Sequence, residues 1–345
     1  MKSSDYNTAA SGCRRRRKQY ISAAAALLLL MFLLAVFMMT YGNTVYTPGT
    51  VISVLMGNHI KGASFTLLTL RLPRLLAAIL CGAAFGMAGN TFQKLLGNPL
   101  ASPDIIGVSS GASTAAVFGS LVLGLSGNAV SFLAVAFGLL VSMLLYVLSR
   151  NGGFSGGRLI LTGIGMQAFL NAAISWMLLR ASEYDVPGAL RWLSGSLNGI
   201  GMDRIPGLAA AVLTAGTAVL LLSRYLMILE LGEAYAITLG VRIGLIRLLL
   251  ILFSLLLIAF ATAVTGPIAS VAFLSGPVAA RISGSSGSNT AVSALTGSVL
   301  VLASDLAGQF ALPSRYPAGV ITGILGAPYL LFLLLRMNRK GENAL

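Results

Sequence analysis

Ten apolar runs of near-membrane length alternate with short polar breaks along the chain, at 20–41, 65–94, 105–125, 128–149, 158–181, 206–227, 244–264, 267–283, 291–310 and 318–337. About 20 residues rising roughly 1.5 Å each cross about 30 Å of hydrocarbon as a helix, and a helix satisfies its backbone polar groups internally, as lipid demands. The pattern predicts an all-α fold, a polytopic membrane protein with about ten transmembrane helices over 20–337. A basic tail (1–19) precedes them and a short tail (338–345) follows. The eighth run, "GPIASVAFLSGPVAARISG" from Gly266, is short and carries Pro267 and Pro277 among its glycines. It is predicted to be broken or kinked where neighbouring helices can satisfy freed backbone groups.

The charges lie mostly between the runs. With ten spans and a cytoplasmic N-terminus, 16 of the 23 Lys and Arg fall on the inner side, so the positive-inside rule puts both termini in the cytoplasm. The others, Lys61, Arg71, Arg74, Arg180, Arg191, Arg204 and Arg315, fall outside and call for a reason of their own. The basic "CRRRRKQY" reads as the charge that holds an uncleaved first span. The run after it is longer than a signal h-region, and no small-residue cleavage site follows.

Composition narrows the function. Of 345 residues 57% are hydrophobic and 9% charged, too little polar surface for a soluble globule. The formal charge of +14 sits in short clusters without a continuous basic face or aromatic platform, so the expected partner is membrane lipid and not nucleic acid. Cys13 and Cys81 imply no disulfide framework, and His59 has no cysteine or carboxylate at ligand spacing, so no metal site is expected. "GGFSGGRL" lacks the Lys-Ser/Thr ending of a phosphate loop, and no hydrolytic carboxylate pair or triad is evident. The chain is therefore read as a non-enzyme that binds no cofactor directly.

Asp305, in "LVLASDLAGQF", is the one carboxylate clearly inside an apolar run, and it is read as a structural group bonded to neighbouring Ser or backbone. A lone acid offers ion coupling little to work with, so energy for transport is expected from another subunit, and an ion-coupled secondary transporter is the alternative. The 40 glycines fall largely inside runs, as in "CGAAFGMAG", "TGIGMQ" and "ITGILGAP", where small residues let helices approach closely in lipid.

The stretch "RLPRLLAAILCGAAFGMAGNTFQKLLGNPLASPDIIGVSSGAS" (71–113) resembles the signature of the iron-siderophore and cobalamin ABC importer permeases, the FecCD family. Collinear matches follow: "LTGIG" at 161, "RWLSGSLNG" at 191, "LGEAYAITLGV" at 231, "GPIA" at 266, Asp305, and "YPAGVITGILGAPYLLFLLLR" from 316. The resemblance implies a permease of the bacterial cytoplasmic membrane that moves an iron(III)-siderophore by alternating access. Cobalamin and haem stand as alternative cargoes. It also implies a second permease subunit, two cytoplasmic ATPase subunits that use the ATP, and an extracytoplasmic siderophore-binding protein.

Site residues follow from the resemblance and from their placement. Arg71 and Arg74, three residues apart at the outer end of the second span, are expected to meet acidic residues of the binding protein. Arg315 falls where the family usually has a glutamate, and Gln309 where it has an arginine, so Arg315 is expected to supply the docking charge lost there. The segment 231–241 resembles the coupling helix that contacts the ATPase. Gly232 and Gly240 would turn its ends, while Leu231, Glu233, Ala236 and Leu239 would meet a groove on the partner. "NGGFSGG" (151–157), with Ser155 and Gly156, corresponds to the cytoplasmic gate. "GNPLASPD" is read as a turn at Asn98 and Pro99. "SGPVAAR" lacks the histidine usual in the family, so no role of that histidine carries over.

Overall fold

The computed structural model describes residues 3–103, 107–149, 156–284 and 287–342. Among them the ordered elements are all helical: α1 (Ser3–Thr40), α2 (Pro48–Leu55), α3 (Leu72–Leu95), α4 (Val108–Leu121), α5 (Asn128–Ser149), α6 (Gly156–Arg180), α7 (Val186–Leu193), α8 (Ile205–Glu230), α9 (Glu233–Thr238), α10 (Ile243–Thr265), α11 (Val271–Ser283), α12 (Thr290–Phe310) and α13 (Ala318–Glu342). Seven of these segments are long and apolar enough to cross a membrane, and α11 and the Ala318–Leu333 part of α13 are shorter apolar helices. Each of the ten predicted runs holds a helix, but α4 and α11 are only 14 and 13 residues long. The all-α membrane fold is as predicted, and the count of ten full spans is approximate.

α3 is the centre of the bundle and packs against α8, α10, α11 and α12. Its glycines make this possible. A methyl group added at Gly82 would meet the backbone of Gly297 and Ser298, at Gly86 that of Ser293, and at Gly89 that of Ala272. The stripe of small residues thus brings α3 into backbone contact with α12 and α11, where packing takes the place of the hydrophobic drive that lipid removes. α6 lies at the periphery and packs chiefly on α4 and α5.

Two irregularities shape the functional ends. The second run is not α-helical throughout: Phe65–Arg71 is π-helical and leads straight into α3, with Pro73 tolerated in the first turn. The eighth run is broken where expected. Between α10 and α11 the chain passes through Gly266 and Ser270, both at positive φ (73° and 64°). Pro277 then lies inside α11. At the "GNPLASP" turn, Gly97 has φ 61°, the Leu100 amide donates to Asn98 Oδ1 at 2.9 Å, and the Ala101 amide donates to the Asn98 carbonyl at 3.0 Å.

Candidate functional site

The three arginines singled out in the sequence converge. Arg71, Arg74 and Arg315 line one cavity of about 570 Å³, together with Asn43, Asn198 and Gln309. Its walls come from the α1–α2 connection, the π-helical segment, the 197–201 loop and the end of α12. Sequence reasoning named the arginines and Gln309 but gave no role to Asn43 and Asn198, which lie in loops.

Each arginine is held differently. Arg71 donates to the carbonyls of Met39 and Thr44, both at 2.6 Å, and stands over the Tyr46 ring at 5.3 Å, so it ties the α1–α2 connection to α3. Arg74 makes a bidentate pair with Asp305, Nε to Oδ2 at 2.8 Å and Nη2 to Oδ1 at 2.7 Å, and Gln309 Nε2 also donates to Oδ2 at 2.7 Å. Asp305 is only 1% exposed. Its partners are therefore Arg74 and Gln309, which corrects the expected bonding to Ser or backbone: a carboxylate buried among apolar helices needs a full countercharge. Arg315 is exposed and donates to Asn43 Oδ1 at 2.6 Å. The cavity thus carries three cations against one buried acid, and of the three Arg315 has the widest access to solvent.

The opposite end carries the second candidate. α8 starts beside the loop that lines the arginine cavity and runs 26 residues, about 39 Å at 1.5 Å per residue, to Glu230. There Gly232 (φ 109°) and Gly240 (φ 75°) bracket α9, as their expected turning role requires. Lys94 pairs with Glu230 at 2.8 Å and Arg247 with Glu233 at 2.9 Å, fastening this end to α3 and α10. Ala236 is fully buried in the chain itself, which corrects the expectation that it faces a partner. A helix of six residues cannot show its inward face by periodicity. The outward residues are Leu231, Tyr235, Ile237 and Leu239, each more than 60% exposed. Ser155 lies outside the described residues, and Gly156 is described only as the first residue of α6. Among the described residues no cluster of three His, Cys, Asp or Glu could hold a metal.

Comparison with known proteins finds relatives along most of the chain. The chain is 38% identical over 291 residues to the ferric enterobactin transport system permease protein FepG of Escherichia coli K12, covering 84% of this chain and 88% of that one. It is 34% identical over 302 residues to the achromobactin transport system permease protein CbrC of Dickeya dadantii 3937, covering 86% of each. A solved inward-facing structure described as of the metal-chelate ABC transporter type superposes with a TM-score of 0.82 at 25% identity, over 92% of this chain and all of that one. The profile of the FecCD transport family matches residues 27–336, and the chain belongs to that family.

Proposed function

We propose that this chain is the transmembrane permease of an ATP-binding-cassette importer that carries an iron(III)-siderophore across the cytoplasmic membrane. The observation that carries the reading is the family match over 27–336, which takes in both the arginine cavity and α9. The chain itself performs no bond chemistry. Two separate ATPase subunits hydrolyse ATP, a second permease completes the path, a binding protein delivers the chelate, and both termini lie in the cytoplasm. Movement is by alternating access, with the bundle opening to one side at a time.

In this reading the binding protein docks its acidic residues at the arginine cavity. Arg315 is the freest charge there. Arg71 shapes the loop that frames the cavity, and Arg74, neutralised by Asp305, sets the floor. The ATPase takes hold at α9 through Leu231, Tyr235, Ile237 and Leu239, with Gly232, Glu233 and Gly240 fixing the segment and Ala236 seating it on the bundle. Ser155 and Gly156 belong to the inner gate. Charge reversal, Arg315→Glu, should weaken binding-protein docking by about 1 kcal/mol at low ionic strength, and the difference should shrink as salt rises. Titration of the binding protein onto the transporter in nanodiscs at two salt concentrations reads this, and an affinity unchanged at both removes Arg315 from the interface.

The whole reading is tested by reconstitution. Proteoliposomes holding the complete transporter should take up radioactive iron(III)-siderophore only with ATP and the binding protein. Uptake driven by an ion gradient with no ATPase present would overturn it.

A further inference from the structure

The 197–201 loop that lines the arginine cavity runs on to Arg204, and Arg204 lines a separate cavity of about 350 Å³ between the end of α4, the start of α5 and α7. Two opposite charges line it without meeting. The guanidinium of Arg204, half-buried immediately before α8, has no hydrogen bond or ion pair among the described residues, and neither has the carboxylate of Asp185. Asp185 holds the N-cap position of α7, where its carbonyl accepts from the Gly188 and Ala189 amides at 3.1 and 3.2 Å, yet its side chain caps nothing. An aspartate at that position ordinarily turns its carboxylate onto the first N–H groups of its own helix.

The surroundings give the depth. Trp192 and Tyr184 line the same cavity, and aromatic side chains of this kind gather where hydrocarbon gives way to water. Beside it Val122, Leu123 and Phe132 are each half exposed or more, an apolar surface that acyl chains cover on a membrane-spanning bundle. A guanidinium cannot shed its charge, so its countercharge here must come from outside the chain, and its planar fork suits phosphate oxygens. Asp185 and the ring faces suit a cation instead. Both charges and a hydrocarbon tail occur together in one kind of molecule.

We propose that this cavity holds the headgroup of a zwitterionic phospholipid with a primary ammonium, its phosphate on Arg204, its ammonium between Asp185 and Trp192, and its acyl chains over Phe132. An anionic headgroup would satisfy Arg204 but bring no cation to Asp185. A choline headgroup brings the cation but has no N–H to donate to the carboxylate. The lipid ties α7 to the ends of α4 and α5.

The test is native mass spectrometry of the assembled transporter in detergent, titrated with phosphatidylethanolamine, phosphatidylglycerol or phosphatidylcholine of one acyl composition. Wild type should retain phosphatidylethanolamine most tightly. Arg204→Ala should weaken that retention about tenfold, and Arg204→Lys should recover part of it. Asp185→Asn should leave phosphatidylglycerol bound at least as well and cut the preference for phosphatidylethanolamine over it by about three- to fivefold, a change that a merely structural role of Asp185 would not produce. Unchanged retention in Arg204→Ala, an unchanged preference in Asp185→Asn, or a wild-type preference for phosphatidylglycerol or phosphatidylcholine overturns the proposal. So does displacement of the lipid by an equal concentration of soluble glycerophosphoethanolamine, which would make this the site of a free zwitterion. Weaker docking of the binding protein to Arg204→Ala with lipid retention intact would give the cavity to that protein and overturn the proposal as well.

Discussion

In α3, Gly82, Gly86 and Gly89 each lie where an added methyl would strike another helix's backbone, whereas in α6 the comparable Gly165 faces open space. The best membrane window of α3 is 78% buried inside the chain and that of α6 only 22%. Both helices carry glycine, alanine and amide groups at helical spacing. The same alphabet therefore builds a closed seam in one place and an unpaired face in the other. The contrast lies in the neighbours: α3 is enclosed by α8, α10, α11 and α12, while α6 packs chiefly on α4 and α5 and leaves Asn171 and Ser175 uncovered. Small residues in a membrane helix announce close approach without saying to what.

The contrast can be broken most sharply at Asp305. Asp305→Ala strands Arg74 against α12 without its counterion, and breaking a buried pair of this kind costs about 3–5 kcal/mol. Reversible unfolding in SDS should show that loss, and Arg74→Leu in the same chain should recover much of it. A cost below about 1 kcal/mol for the single variant would mean that the pair does not hold α3 to α12. Gly86→Val should come next, costing roughly 1–3 kcal/mol in the same titration, because the opposing group is backbone that cannot swing aside. Wild-type stability in this variant would refute the closed seam. The smallest effect belongs to Gly165→Ala, expected within about 0.5 kcal/mol in the isolated chain. A larger loss there would show that the α6 face is already packed.

Much of the fold was legible because hydropathy and loop charge act locally. The ten runs hold helices, the break before α11 was marked by Gly266 and Pro267, and the Asn98 turn followed from its own side chain. The arginines were legible because charge at the end of an apolar run is conspicuous. What stayed hidden was pairing at a distance. Arg74 and Asp305 are 231 residues apart, and only the fold brings them together. A lone intramembrane carboxylate did signal a missing partner, and Arg74 was the nearby-depth cation to ask about. The inward turn of Ala236 was hidden for another reason: α9 is too short to display a face. The polar face of α6 carried a legible hint in the Gln167, Asn171, Ser175 spacing, an i, i+4, i+8 polar stripe along an apolar helix.

The π-helical Phe65–Arg71 segment has a mechanical meaning beyond its shape. A π turn bonds i to i+5 and so takes in one residue more than an α turn. Deleting one residue there would let the run close as ordinary α-helix with its outer side near its present angular setting, because the π turn has already absorbed the extra residue. Arg74 stays where Asp305 anchors it, and Thr66, which lines the mouth beside Tyr46, lies on the far side of the same turn. The segment works as slack in the winding: it can take up or give back one residue, so the mouth and the spine keep their angular settings across a change of length between 65 and 71.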